Sequence, residues 1–316
     1  MQLIRGLSGR ASSGRRARSA GCAVTIGTYD GLHLGHRALL ARLKEHAARL
    51  GTASVLLTFE PTPREYLFPR DPPARLTSLR ERWRILASWD EPDYLWLLRF
   101  GEALRNLSGE GFAQLLAREV RPKVVVVGHD FRFARNGEAT APVLIEAGKR
   151  LGFDVEVLPA VTLDGERISS SGVRAALACG DFARAGRWLG RPWSMRARVV
   201  PGRRLGARLG FPTANLPLER RRTPVAGIFA VRVHGVANAS LAGVASLGTR
   251  PTIDGTEALL EAHIFDFDGD LYGREIEVEF VAKLREEERF ATLDALAAQI
   301  RCDATEARRI LSVANV

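Results

Sequence analysis

Thr25-Ile26-Gly27-Thr28-Tyr29-Asp30-Gly31-Leu32-His33-Leu34-Gly35-His36 sets two histidines and three glycines between a run that reads as a strand and a run that reads as a helix. Cys22 to Ile26 is short, apolar and β-rich, as a buried strand is. From Gly35 the spacing changes. Leu39, Leu40, Leu43, Ala47 and Leu50 recur along one helical face, and Arg37, Arg42, Lys44, Glu45 and Arg49 occupy the other. Gly27 and Gly31 permit the tight turn that lets a backbone approach phosphate, and a helix N-terminus carries the partial positive charge that attracts an anion. His33 and His36 stand there, with Asp30 and Gly35 beside them, as candidate donors to oxygens on which negative charge develops. A turn whose histidines merely cap the helix is the plainer alternative; two imidazoles in an H-x-G-H arrangement favour the anion site.

Outward from this stretch the first half alternates strands with helices. Ser54 to Phe59, Tyr94 to Arg99, Lys123 to Gly128 and Asp154 to Leu158 read as strands, and Leu79 to Ser88, Gly109 to Arg118 and Ala141 to Leu151 as helices. That alternation predicts a mainly parallel sheet with ligands at the carboxyl ends of its strands. Three further segments fall at or near such ends. Thr58-Phe59-Glu60-Pro61-Thr62-Pro63 is stiffened by its prolines, and Phe59 is either an apolar wall or a buried loop residue. In Val127-Gly128-His129-Asp130-Phe131-Arg132-Phe133, Asp130 can accept from a ribose or adenine group and Arg132 can meet a phosphate, or the two form a surface pair beside core phenylalanines. In Arg167-Ile168-Ser169-Ser170-Ser171-Gly172-Val173-Arg174 the hydroxyls cap a helix or, with Arg174 one turn on, hold phosphates. A helix over Val173 to Leu189 is expected to stop at Gly190-Arg191-Pro192, which divides the chain into 1–186 and 187–316.

Beyond that boundary short strands follow without intervening helices, at Met195 to Val200, Gly227 to Val233, Leu241 to Leu247, Leu259 to Phe267 and Glu275 to Leu284. They predict an antiparallel barrel closed by a final amphipathic helix with Leu293, Leu296, Ile300 and Ile310 along one side. Gly202-Arg203-Arg204-Leu205-Gly206-Ala207-Arg208-Leu209-Gly210-Phe211-Pro212-Thr213-Ala214-Asn215 is neither a Walker A loop nor a kinase G-x-G-x-x-G. Gly202, Gly206 and Gly210 permit close approach to phosphates, and Thr213 and Asn215 can turn their oxygens to one side, as magnesium prefers. Alternation along Leu260 to Phe267 sends Glu261, His263 and Phe265 to one face. A carboxylate there, pointing into the barrel beside the phosphate loop, can accept the proton of an attacking hydroxyl; as a plain residue Glu261 is an ordinary partner for an arginine.

The 316 residues suit about two domains, and no apolar run approaches the roughly 18 residues of a membrane span. Cys22, Cys179 and Cys302 are scattered, which predicts neither a disulfide framework nor a zinc site and favours a reducing cytoplasm. The formal charge of +10 comes almost wholly from arginine, lysine occurring only at Lys44, Lys123, Lys149 and Lys283. The denser clusters, Arg15 to Arg18 and Arg220 to Arg222, lack interleaved aromatics, so nucleic acid is not the expected partner. A basic surface does help to gather polyphosphates. The acid-free first twenty residues have the composition of a transit peptide and are read as native sequence with a solvated middle.

The Y-D-G-x-H-x-G-H form of the first motif resembles the HIGH-type motif of the nucleotidyltransferase superfamily, which includes class I aminoacyl-tRNA synthetases, and looks most like the bacterial FAD synthetases. The start Met-Gln-Leu-Ile-Arg-Gly-Leu, the G-x-D-F-R-F segment and the I-S-S-[TS] segment are similar to that family, and Gly-Phe-Pro-Thr-Ala-Asn matches the riboflavin kinase signature. The resemblance runs over the whole chain. It implies a Rossmann-like α/β nucleotidyltransferase domain with FMN adenylyltransferase activity, followed by a riboflavin kinase β-barrel. The implied substrates are riboflavin, FMN and two ATP molecules with Mg2+, without zinc or a bound prosthetic group, in a cytoplasmic monomer or weak homo-oligomer that binds neither membrane nor nucleic acid. By the same resemblance Glu261 is the base for the riboflavin 5′-hydroxyl, Thr213 and Asn215 hold the metal, and Phe59, Pro61 and Tyr66 lie on the flavin side. His33, His36, Ser170, Ser171 and Arg174 stabilise departing pyrophosphate. The chain departs from the pattern at Tyr29 for Phe, Thr62 for His or Gln, Ser171 for Thr and Pro201 for His, and in a shortened Ala134-Arg135-Asn136-Gly137 loop. The shortened loop makes a riboflavin kinase with a weak amino-terminal domain the runner-up. A tRNA-charging relative would need a lysine in the serine-rich loop, and a flavin sensor is disfavoured by Glu261, Thr213 and Asn215.

Overall fold

The computed structural model describes residues 1–6, 21–202, 205–218, 220, 222–252 and 255–313, with backbone alone at 205, 249–252 and 255–257. The Arg15 to Arg18 cluster, Arg203, Arg204, Arg221 and the side chains of 249–252 lie outside the described residues. The chain forms two compact units, Met1–Pro73 with Arg82–Ser169 and Ala74–Glu81 with Ser170–Val316.

In the first unit β1 (Gln2–Arg5), β2 (Cys22–Ile26), β3 (Ala53–Phe59), β4 (Tyr94–Leu98), β5 (Pro122–Gly128) and β6 (Asp154–Leu158) make one sheet in the order β1-β4-β3-β2-β5-β6. Every neighbouring pair is parallel. Parallel strands are covered on both faces, so they read as unbroken apolar runs: Cys22, Ala23, Val24, Val55, Leu56 and Leu57 are all fully buried. Helices α1 (Leu34–Leu50), α2 (Gly109–Leu115) and α3 (Ala141–Leu151) alternate with the strands. From β2 the chain steps through β3 to β4 on one side, and β5 and β6 lie on the other. Loops leaving β2 and β5 therefore diverge, and the crevice beyond their carboxyl ends is where such sheets bind ligands. The helix that begins at Gly109 is regular only to Leu115 and continues as a π turn over Leu116–Val120.

In the second unit the expected single helix over Val173 to Leu189 is two, α4 (Ser170–Ala178) and α5 (Phe182–Leu189). Gly180 takes φ +74°, and the Asp181 carboxylate accepts from the Arg184 N–H at 2.9 Å to start the second. Strands β7 (Ser194–Arg198), β8 (Ala214–Pro217), β9 (Gly227–His234), β10 (Leu241–Thr252), β11 (Gly255–Ile264) and β12 (Glu275–Arg285) are antiparallel in the order β7-β12-β9-β10-β11-β8. Past the end of β7, the Val200 N–H donates to the Asn215 carbonyl of β8 at 2.9 Å and brings the two edges together into a nearly closed barrel. Phe229, Val231, Leu247, Leu260, Ala262, Val278 and Phe280 fill it, each almost fully buried. Phe182 of α5 lies 5.9 Å from Phe229 and 6.1 Å from Phe280, ring to ring. On the outer face α6 (Leu293–Val313) packs Ala307 and Leu311 against Ala230 and Val244.

Arg220, expected within a basic surface cluster, is instead sunk in this unit. Its side chain is 1 % exposed, it pairs with Glu81, and its guanidinium donates to the carbonyls of Arg75 at 3.1 Å and Leu76 at 2.9 Å. Glu81 also accepts from the backbone N–H of Ser78 at 2.6 Å and of Arg196 at 2.9 Å. Burial pushes the nearby Arg191 guanidinium down to about 10, against the fields of Glu81 and Glu277. Arg220→Ala strands a buried carboxylate and should lower stability by about 3–5 kcal/mol, read from urea denaturation of the full chain; a loss below about 1 kcal/mol would contradict the buried network.

Candidate functional site

The H-x-G-H turn leaves β2 at the crevice. Tyr29, Gly31 and Leu32 take φ of 51°, 87° and 46°, a run of left-handed turns before α1. His33 is the N-cap of α1, and its Nδ1 accepts from the His36 N–H at 3.3 Å. A neutral imidazole accepting at Nδ1 carries its proton on Nε2, so the cap selects the tautomer. The rings of His33 and His36 stack with centroids 3.7 Å apart, and Tyr29 lies 4.7 Å from His36. At Gly35 an added Cβ would sit 3.1 Å from the His33 ring, so the bare backbone makes room for that stack. Gly27 does the same for the Tyr29 ring, at 3.0 Å. The Tyr29 hydroxyl bonds Thr25, and burial pushes its phenol well above the usual range against that hydrogen bond's pull. Asp30 and Gly31 are buried in the same turn. The structure thus gathers Gly27, Asp30, Gly31, His33, Gly35 and His36 at the positive end of a helix with no acidic residue in its first turn.

Two neighbouring loops complete the crevice. Phe59 is buried at the end of β3, and it and Tyr66 both meet Phe100 edge-on, with centroids 5.8 and 5.5 Å from it. Thr62 caps the helix Pro63–Leu67 in a capping box with Glu65, so its place in the chain is explained by the turn after Pro61. Beyond β5, Asp130 and Arg132 are both exposed, and Asp130 pairs with Arg167 rather than with Arg132. The short loop after Phe133 is a tight hairpin, with Ala134, Asn136 and Gly137 at φ of 67°, 55° and 66° between Arg132–Phe133 and Ala139–Thr140. Ser170 and Ser171 open α4, and Arg174 donates from Nε to the Ala74 carbonyl at 2.6 Å. Sequence reasoning passed over Phe100 and Arg82; the latter donates to the Thr28 carbonyl inside the H-x-G-H turn.

In the barrel, strand register sets the second site. Asn215 of β8 lies directly opposite Glu261 of β11, and Glu261 lies opposite Ser246 of β10. Directly opposed residues share a face, so Asn215, Glu261 and Ser246 form a row across three strands. That row is on the outside: Leu260 and Ala262 fill the barrel, and Glu261 points away from its interior rather than into it. The strand expected to end at Leu247 runs on to Thr252. Ser246 donates to Glu287 at 3.1 Å, a partner no motif announced. Asn215 Nδ2 donates to the Thr213 carbonyl at 3.3 Å, which orients the amide with Oδ1 as its acceptor. A Cβ on Gly202 would lie 2.4 Å from the Asn215 amide and push it aside, and one on Gly206 would lie 2.3 Å from the Phe211 carbonyl, a main-chain contact that only glycine allows. Gly210 takes φ +86° and turns the chain into Phe211-Pro212, where the Pro212 carbonyl bonds His263 Nδ1 at 2.8 Å. His263 shares the outer face with Glu261, as alternation predicts.

A family model for FAD synthetase matches residues 15–172, and one for riboflavin kinase matches residues 189–311. The chain is 43 % identical over 314 residues, 99 % of each chain, to the bifunctional riboflavin kinase/FMN adenylyltransferase of Escherichia coli (strain K12). It is 44 % identical over 312 residues, 98 % of each, to the protein of that name from Pseudomonas fluorescens. A crystal structure from Streptococcus pneumoniae, described as a macrolide-efflux protein, is similar with a TM-score of 0.76 and 29 % identity, over 95 % of this chain and 97 % of that one. No helix among the described residues is long and apolar enough to cross a membrane. With a family model matched in each half and relatives matched from end to end, the chain belongs to the bifunctional riboflavin kinase/FMN adenylyltransferase family.

Proposed function

We propose that the chain makes FMN from riboflavin and ATP in its barrel and FAD from FMN and a second ATP in its parallel-sheet unit, with the functional boundary at 186/187. The reading is carried by the end-to-end likeness to relatives named for both activities, with a separate site in each unit. In the barrel, Glu261 takes the proton of the riboflavin 5′-hydroxyl as that oxygen attacks the γ-phosphorus of ATP; the bond to the β-γ bridging oxygen breaks, and FMN and ADP leave. Gly202, Gly206 and Gly210 let the loop lie close to the phosphates. The donor set fits a hard cation: Thr213 and Asn215 offer neutral oxygens, and the Asn215 amide is oriented and covered by Gly202. Mg2+ bound there would neutralise polyphosphate charge.

In the other unit an FMN phosphate oxygen attacks the α-phosphorus of ATP. The α-β bridging bond breaks, FAD forms, and pyrophosphate departs without a covalent enzyme intermediate. His33 and His36 donate to the developing negative charge from the helix N-terminus. Gly27, Gly31 and Gly35 give the backbone its approach, and Asp30, Asp130 and Arg132 hold the nucleotide. Ser170, Ser171 and Arg174 are phosphate contacts by motif alone, while Phe59, Pro61 and Tyr66 wall the flavin. We place the protein in the cytoplasm, as a monomer or weak homo-oligomer with small-molecule partners.

Purified protein with riboflavin, excess ATP and magnesium should yield FMN and then FAD on chromatography; FMN that accumulates without FAD would leave only the kinase. Glu261→Ala should abolish FMN formation and leave FMN-to-FAD conversion, and His36→Ala should do the reverse. Loss of both activities in either folded variant would break the two-site assignment. Gly202→Ala forces the Asn215 amide aside and should lower kcat/KM for FMN formation about a hundredfold while FAD formation from FMN is kept; an unaltered kinase would remove Asn215 from the site.

A further inference from the structure

Resting on the assignment of the H-x-G-H turn to adenylyl transfer, we infer that Arg82 is a positioning residue for that reaction, holding the His33/His36 pair through the main chain of Thr28. Arg82 is 2 % exposed. Its Nη1 donates to the Thr28 carbonyl at 2.9 Å and approaches Thr58 Oγ1 at 3.4 Å, and its Nη2 pairs with Glu60 at 2.8 Å. Thr58 Oγ1 itself donates to the same Thr28 carbonyl at 3.3 Å. Two donors thus converge on one oxygen in a turn between β2 and α1, where no strand ladder or helix fixes the backbone.

The consequence follows from peptide geometry. The Thr28–Tyr29 peptide is planar, so fixing its carbonyl fixes its whole plane and the direction in which the chain enters Tyr29. Tyr29 takes φ 51°, a conformation a tyrosine seldom adopts, and from it the ring reaches 4.7 Å from His36 while its hydroxyl bonds Thr25. Arg82 therefore acts two steps from the chemistry: guanidinium to carbonyl, peptide to tyrosine ring, ring to imidazole stack. Glu60 completes the arrangement, since a buried guanidinium without a carboxylate would be costly to keep in place. Catalysis by aligned donors is sensitive to this kind of support, because displacement by about 1 Å lowers rates on the order of a hundredfold.

The test compares full-length wild type, Arg82→Met, Arg82→Lys, Glu60→Gln and His36→Ala, each assayed for FAD formation from FMN and for total FMN plus FAD from riboflavin, with thermal melting beside both. Arg82→Met is expected to lower kcat for FAD formation about a hundredfold, to move KM for ATP less than about threefold, and to leave riboflavin phosphorylation unchanged. Arg82→Lys keeps a donor within reach of the carbonyl and should recover activity to within about tenfold of wild type. Wild-type kcat in Arg82→Met, a raised KM with kcat intact, or a lysine variant no better than methionine would overturn the inference. If Arg82→Met does not fold, Glu60→Gln decides: a several-fold loss of kcat with unchanged melting supports the role, and wild-type kcat refutes it. Wild-type protein that makes no FAD, or His36→Ala that still makes it, would overturn the site assignment itself and the Arg82 role with it.

Discussion

β2 is hydrogen-bonded in parallel to β3 on one flank and to β5 on the other, with Val24 level with Val55 and Val125. Because both flanks are taken, the strand can end only by leaving the sheet at its carboxyl end, and the chain there passes directly into the left-handed turns and the start of α1. The place of every group in the first site depends on that. The histidine stack stands on the turn, the turn on the strand's last residue, and the divergence of the loops on β2 having neighbours that continue in opposite directions. The apolar run that makes β2 fit between two strands is thus the same constraint that fixes where the positive end of α1 begins.

The barrel reaches a comparable result by different means. Antiparallel register sets Asn215, Glu261 and Ser246 in line across β8, β11 and β10. A shift of one residue in β8 would turn Asn215 into the barrel and Ala214 out of it. Gly202 lies against the Asn215 amide and Gly206 against the Phe211 carbonyl, so a side chain at the first would displace the amide and one at the second would meet main chain.

Much of this was legible in sequence where a period was sustained and bounded. Cys22–Ile26, between Gly21 and Gly27, and Ala141–Leu151, with Pro142 in its first turn and Gly152 after its end, have the expected limits because apolar spacing and these residues mark both ends. β1 and β8 went unread for want of length: each has four residues, and β8 ends in proline. Alternation told which residues share a face with Glu261 but not which face is the interior, since that depends on how the barrel curves. Arg220 looked like part of a charge run because its partner Glu81 is 139 residues away, and Arg82 was passed over because its acceptors lie 54, 24 and 22 residues upstream. Local pattern carries no trace of such pairings.

The Val200–Asn215 hydrogen bond has a thermodynamic side. It joins the barrel's two edges at Asn215, the residue that stands in register with Glu261. A seam of this kind is a natural place for the sheet to breathe, since little ladder holds it on either side. Whatever grips the Asn215 amide from outside therefore binds the zipped form of the seam in preference to the open one, and occupancy and barrel integrity become linked quantities.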